Sequence, residues 1–478
     1  MSYPQPALRI GDRWVERTPQ GSLPVFDPAD GAEIGRAPIA GPDEIAAALD
    51  AAAGAFDTWR HTLPIERFRI IGRATALLRE RAASIAATLT MEQGKPRAEA
   101  LREVTIAADI IDFLAEEAKR LAARGVPPRS AGVLSQTVQR VPVGPVAAFT
   151  PWNFPANLPA RKLGAALAAG CSVIIKPDEQ TAATCMAIVQ CYVDAGLPAG
   201  VLNMLTGRPA EISQALIESP VIAKVSFTGS IAVGRQLGEL SARHGKRYTA
   251  ELGGHAPVIV CADADAQSVA QLSVAAKYRN AGQVCASPIR FLVHRARYDA
   301  FRDAFVAGAR ALRIGPGADP ATQLGPLVGE RRVREMQAFV DDALAHGARL
   351  LCGGRRVDRS GFFYEATVLE QPAPASRVQR EEPFGPIAVL DVFDELDDAL
   401  ARANALPYGL AAYGFTHDLS SAHRLANELE AGMVGINHFG VSQPETPFGG
   451  IKASGIGHES GLEGLLGYTD VRLVSVAA

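Results

Sequence analysis

Residues 146–150 (VAAFT), 172–177 (SVIIKP), 201–207 (VLNMLTG) and 224–229 (KVSFTG) are short apolar runs, and helical patterns starting at Asn157, Thr181, Ala210 and Ile231 separate and follow them. That rhythm predicts right-handed βαβ crossovers on a parallel sheet with helices on both faces. Open parallel sheets bind ligands beyond the carboxyl ends of their strands, so the residues just after each run carry the functional reading.

Downstream, residues 257–263 (PVIVCAD), 291–294 (FLVH), 363–369 (FYEATVL) and 386–393 (PIAVLDVF) read as strands, with helices at 299–312 and 419–431; together they predict a second α/β domain. Upstream, helical patterns run over 43–56, over 65 to 91 with Gly94 as the stop, and over 97–123. Between the helical lead-in and the first run, residues 133–141 (VLSQTVQRV) alternate apolar and polar side chains, as an extended arm or hairpin does. The C-terminal run 468–476 (YTDVRLVSV) is a strand without a partner in either domain, so it is expected to pair with that arm or with another subunit.

The 478 residues are 48% hydrophobic, more than a single core of ordinary size needs. A net charge of -3 without a dense Lys/Arg block points away from nucleic acid and anionic membranes. The six cysteines form no disulfide framework and no metal-binding spacing, which fits a reducing cytoplasm. The opening residues MSYPQPALRIGDRW lack an apolar signal core, and no run of about 18 apolar residues occurs, so a soluble protein is expected.

The turns after the runs carry the chemistry. After KVSFT, Gly229 and Ser230 lead into a helix and offer backbone N–H groups to a pyrophosphate, although the spacing is not GxGxxG and a plain glycine turn has the same look. After SVIIKP, Lys176 and Glu179 are placed for an adenosine ribose; a carboxylate there favours NAD over NADP, with Lys176 partly offsetting the effect. After VAAFT comes PWNFP, where Asn153 is either a turn former or an amide donor to an oxyanion, acting with the backbone N–H of Cys285. Cys285, in KYRNAGQVCASP, is a candidate nucleophile, and Glu251, in TAELGGHAP, is a candidate base that activates water to release the product.

Taken together, the chain resembles the aldehyde dehydrogenase superfamily from about Val25 to the final strand: PWNFP, KPDE, FTGS, ELGG, GQVC, EEPFGP and PFGGIKASG occur in the family's order. The resemblance implies a Rossmann-type cofactor domain (residues 1–123 and 142–252), an α/β catalytic domain (253–438) and a small β oligomerisation arm with the C-terminal segment (124–141 and 439–478). It implies Cys285 as nucleophile, Glu251 as general base, Asn153 as oxyanion donor, and Lys162 and Glu459 in a proton relay around the base. Thr150, Trp152, Lys176, Glu179, Gly207, Gly229, Ser230 and Leu252 are assigned to NAD, or NADP, with Glu382 and Phe384 on its nicotinamide side. No metal is implied, and a homodimer or homotetramer is expected. Because the ELGG glutamate is present, hydrolysis of the thioester is favoured over transfer to coenzyme A.

Within the family, arginines matching Arg161 and Arg279, with a serine near Ser442, bind the distal carboxylate in the succinate-semialdehyde branch, so an acidic semialdehyde is the implied small-molecule substrate. The alternatives are a 2-oxoglutarate semialdehyde or a broad range of aldehydes, and Gln443 stands where some succinate-semialdehyde enzymes carry a second serine. Ala286 and Ser287 leave Cys285 no cysteine two residues away for a redox-switch disulfide. His255 beside ELGG reads either as a support behind the site or as structural. A silent scaffold of the same fold would lack Cys285, Glu251 or Asn153, whereas cofactor-free ester cleavage is a natural side activity of the same thiol.

Overall fold

The computed structural model describes residues 2–478 and contains two large sheets. In the eight-stranded sheet, Arg247–Glu251, Lys224–Thr228, Val146–Thr150, Val173–Pro177 and Leu202–Met204 lie side by side and parallel. Antiparallel strands flank this core, Gly455–Ile456 on one side and the hairpin Leu8–Ile10/Arg13–Val15 on the other. The chain enters at Val146–Thr150, winds one way through two strands, then returns to add Lys224–Thr228 on the opposite side. The reversal places a crevice at the carboxyl ends of those two strands, where PWNFP and the Gly229–Ser230 turn emerge.

The seven-stranded sheet is built from Ala256–Val260 and Pro288–His294 at its centre, with Ile387–Phe393, Thr367–Glu370 and the antiparallel edge strand Arg349–Cys352 to one side and Ala411–Phe415 and Met433–Ile436 to the other. Only four residues, Leu252 to His255, join the end of Arg247–Glu251 to the start of Ala256–Val260. The carboxyl edge of the first sheet therefore faces the amino edge of the second. Backbone approach there excludes larger side chains: a Cβ on Gly254 would lie 2.8 Å from the Cys285 carbonyl oxygen, and one on Gly282, whose φ is +71°, only 2.1 Å from that of Gly385.

Alanine and glycine let the helices pack closely. Arg97–Ala118 crosses Asn157–Ala169 where a Cβ on Gly164 would come within 3.2 Å of the Ile111 Cα. The lead-in departs from expectation in two places. The single helix expected over 65–91 is two, Pro64–Glu80 and Ala82–Gln93, because Arg81 leaves the helical region (φ −92°, ψ 5°) and its guanidinium bonds Asp194 at 2.5 Å. The first half is amphipathic; the second is buried on nearly every side, so a single straight axis serves neither. The next helix stops at Ala118 rather than 123, and of the run 363–369 only its last three residues are strand, which continues to Glu370.

The arm is a strand, Val133–Pro142, and the C-terminal strand Thr469–Ala477 pairs antiparallel with it in the same chain. Leu134, Val471 and Leu473 remain exposed on this small sheet. No helix is long and apolar enough to cross a membrane among the described residues.

Candidate active site

A cleft of about 310 Å³ lies where the two sheets face each other, and it is lined by Trp152, Asn153, Glu251, Cys285, Glu382 and Phe384 among others. Residues 133 positions apart in sequence, Trp152 and Cys285, thus share one cavity. Burial pushes the half-buried Cys285 thiol up to about 12, with Glu382 and Glu251 adding to the rise and Arg161 and the Ala286 N–H opposing it. The resting sulfur is therefore a neutral thiol.

Glu251, 2% exposed, ends its strand with both carboxyl oxygens lacking any hydrogen-bond partner in the protein. Desolvation first, then the nearby Glu459 charge, raises its pKa well above the ordinary carboxylate range, while Lys162 and Arg161 act in the other direction. Behind it, Lys162 bonds both Glu459 and the Ser226 hydroxyl at 3.0 Å, and Ser226 reaches Glu459 at 3.3 Å. An unpartnered carboxyl with a raised pKa, backed by a buried ion pair, is suited to taking up and passing on a proton.

The PWNFP loop is held from beneath. Lys95 pairs with Glu103 inside the protein, donates to the Asn153 carbonyl at 2.9 Å and sits 4.2 Å above the Phe154 ring. Asn280, in the left-handed region at φ +50°, donates to the same carbonyl at 2.9 Å and to that of Gln283 at 3.2 Å. The Asn153 side-chain amide gives one N–H to the Gln283 carbonyl at 3.2 Å, which leaves one for a ligand rather than the full pair of donors. The Cys285 backbone N–H has no acceptor among the described residues.

On the cofactor side, Ser230 caps the helix Ile231–Arg243, and Gly229 lies against the tip of the Phe227 ring, where a Cβ would be 2.4 Å from Cζ. Gly234 allows the Leu252 side chain to pack on that helix. Lys176 and Glu179 form an ion pair of 2.5 Å, and Glu179 also accepts the Gly207 N–H at 3.0 Å. The Thr150 and Thr228 hydroxyls are buried without partners. Glu382 accepts from the Gly254 N–H at 3.2 Å and is pushed up to about 8 by burial. Phe384, at φ +46°, meets Trp152 edge-on at 5.6 Å, and Arg332 ties its carbonyl at 2.8 Å. Free helix N–H groups, a glycine cradle, a carboxylate within reach and an aromatic pair fit a nicotinamide dinucleotide.

The arginines separate. Arg161 is 4% exposed; its guanidinium donates to the Ser442 hydroxyl at 2.7 Å and to Ser460, and stacks 4.4 Å from the Phe448 ring. It forms no ion pair with any carboxylate among the described residues. Arg279 is exposed and lies 5.8 Å from the Phe154 ring, sharing no hydrogen-bond partner with Arg161. His255 is buried, its ring nitrogen 3.0 Å from the Val378 carbonyl, and no cluster of metal-ligating side chains occurs among the described residues.

Residues 14–474 match the aldehyde dehydrogenase family. The chain belongs to that family. It is an NAD(P)-dependent aldehyde oxidoreductase, and the motif resemblance in the sequence holds over its whole length. A 4-(hydroxymethyl)benzenesulfonate dehydrogenase of Comamonas testosteroni is 47% identical, covering 100% of this chain and 99% of the relative. The NADP-dependent succinate-semialdehyde dehydrogenase of Escherichia coli is 40% identical over 99% of this chain and 98% of its own. A solved succinate-semialdehyde dehydrogenase from Burkholderia pseudomallei superposes with a TM-score of 0.96 at 41% identity, covering 99% of this chain and 98% of that one.

Sequence reasoning missed the support of this aldehyde dehydrogenase site. Lys95 stands in QGKP, next to the helix stop Gly94 and in the mostly polar run MEQGKPRAE, where one more lysine gave no signal. Asn280 and Gln283 lie in the run quoted for Cys285 and drew no reading of their own. Ser226, inside an apolar strand, and Arg332, on the unassigned helix Glu330–Ala345, gave no signal.

Proposed function

We propose that this enzyme oxidises an aldehyde bearing an anionic group at its far end, a carboxylate as in succinate semialdehyde. One observation supports this above the rest: Arg161 is a buried guanidinium held by two hydroxyls and an aromatic face, without a counter-ion. A buried cation is costly unless paired, so a substrate anion is its natural partner. In the second reading the anion is a sulfonate on an aromatic ring, which the identity to the Comamonas testosteroni dehydrogenase favours.

In this mechanism Cys285 gives its proton to the ionised form of Glu251 as the aldehyde arrives, that proton moves on through Lys162 and Glu459, and the sulfur adds to the carbonyl carbon to give a thiohemiacetal. The free Asn153 N–H and the Cys285 backbone N–H hold the oxygen as it becomes negative. Bound nicotinamide supplies the acceptor for the hydride that leaves the former aldehyde carbon. Glu251 then takes a proton from the water that attacks the remaining thioester, and the carboxylate product departs with the thiol restored. Glu459 and Lys162 stabilise the proton on that relay. Glu382, Phe384 and Trp152 position the nicotinamide side of the cofactor, while Gly229, Ser230, Leu252, Thr150, Lys176, Glu179 and Gly207 serve its pyrophosphate and adenosine. On this reading residues 1–123 and 142–252 carry the cofactor, 253–438 carry the nucleophile, and 124–141 with 439–478 join subunits in a dimer or tetramer through the exposed Leu134, Val471 and Leu473 face.

The test is initial NAD(P)H formation on succinate semialdehyde, 2-oxoglutarate semialdehyde, 4-formylbenzenesulfonate and an uncharged aldehyde of similar length, for the native enzyme, Arg161→Met and Arg279→Ala. A charge-assisted contact worth about 1.5–3 kcal/mol makes kcat/KM fall about 10- to 150-fold for the anionic aldehydes in Arg161→Met. Loss of Arg161 also alters the field at Cys285 and Glu251, but that effect acts on every substrate, so the anionic-to-neutral ratio isolates the clamp. An unchanged ratio refutes the reading.

A further inference from the structure

Ser460 has a backbone that its side chain disfavours. It sits at φ +55°, ψ 177°, close to a region populated almost only by glycine, and the next residue, Gly461, is also left-handed at φ +59°. A turn already built with glycine has kept a serine where glycine would be unstrained. The residue is fully buried, so solvation does not explain the hydroxyl. Ser460 precedes the short helix Gly461–Leu466, yet its side chain makes no capping hydrogen bond there. The hydroxyl's partner is the Arg161 guanidinium.

The surroundings explain why a neutral tether matters. Arg161 lies closest in electrostatic terms to Glu459, with the Glu251 carboxyl and the Cys285 sulfur also nearby, and each of these draws the guanidinium toward it when ionised. Glu459 directly precedes Ser460 and is fixed by paired backbone hydrogen bonds of 2.7 Å with Phe448, whose ring carries the guanidinium. Untethered, Arg161 would be drawn toward these carboxyl groups, losing its free charge and disturbing the base. Ser460 on one terminal nitrogen and Ser442 on the other hold the group without neutralising it.

We propose that Ser460 is a positioning residue that sets specificity for anionic aldehydes: at the expense of backbone strain, its hydroxyl holds Arg161 charged and oriented for the substrate's distal anion. The proposal rests on the anionic-substrate reading above.

The experiment compares Ser460→Gly and Ser460→Ala with the native enzyme, measuring KM and kcat on succinate semialdehyde and on an uncharged aldehyde of equal length, together with the unfolding midpoint. Both variants should raise KM for the anionic substrate about 10-fold, as loss of one hydrogen bond to a charged group does, with kcat and the uncharged aldehyde changed less than about 2-fold. Stability should diverge: Ser460→Gly relieves the strain and melts no lower than native, whereas Ser460→Ala keeps the strain, loses the bond and melts lower. If native enzyme prefers the anionic aldehyde and both variants keep that preference, the Ser460 role is refuted and the clamp stands. An equal rise of KM on both aldehydes also refutes it, showing a structural role. A native enzyme indifferent to charge overturns the clamp reading and this proposal with it.

Discussion

Replacing Lys95 by Met tests whether the buried ion pair beneath the PWNFP loop positions the oxyanion donor. The side chains are similar in length, so the change removes charge and donors with little loss of packing. Breaking one side of a buried pair costs about 3–5 kcal/mol when the remaining ion is stranded. Glu103 is not wholly stranded, because it keeps the Ala156 N–H at 2.8 Å and the Asn157 N–H at 3.2 Å. The expected loss of stability is therefore about 2–4 kcal/mol, read as a lowered unfolding midpoint. At the site, the Asn153 carbonyl loses Lys95 but keeps Asn280 at 2.9 Å, so the loop shifts rather than detaches. Removing an oxyanion donor outright costs about 10²–10³ in kcat, and a misplaced one should cost about 10-fold. The assay measures kcat for aldehyde oxidation and for cofactor-free ester cleavage, with Asn153→Ala as the reference for complete loss. On the proposed mechanism both reactions use the same oxyanion site and should fall together in Lys95→Met. A destabilised variant with native kcat would sink the coupling between the ion pair and Asn153; an unchanged midpoint would show the pair contributes no net stability.

Further outcomes follow from the site's electrostatics. Glu251→Gln should still form one equivalent of NAD(P)H in a slowed burst and then stall as a Cys285 acyl-enzyme visible by mass spectrometry, because the thiol and then the water lose their base; steady turnover at the native rate would remove Glu251 from hydrolysis. In the native enzyme the raised Glu251 pKa leaves its carboxyl protonated at low pH, so thioester hydrolysis should speed up as pH rises and the base forms. With its thiol pushed up to about 12, Cys285 of the cofactor-free enzyme should be alkylated by iodoacetamide at a rate that climbs with pH. Alkylation should show no plateau below about pH 10, since only the thiolate reacts, and a plateau near neutrality would mean an already ionised nucleophile. Glu179→Ala frees Lys176 from its 2.5 Å ion pair and removes a negative charge, so kcat/KM with NADP relative to NAD should rise about 10-fold or more; a fall would place the adenosine ribose elsewhere.

The sequence by itself determined the parallel-sheet rhythm from Val146 onward, the turns that carry Asn153, Gly229 and Cys285, and the family. These are local signals: an apolar run a few residues long, a glycine before a helix and a motif of four to nine residues are each written in adjacent positions. The tertiary structure decided what depends on distant chain segments meeting. Lys95 under Asn153, Ser226 beside Glu459 and Ser460 on Arg161 are contacts across 58, 233 and 299 positions, and no periodicity in one segment records its partner in another. The same limit explains why the two arginines looked alike in sequence yet differ in the fold. Burial and the lack of a counter-ion, on which the proposed anion-binding role of Arg161 rests, are properties of the packed protein rather than of the residue.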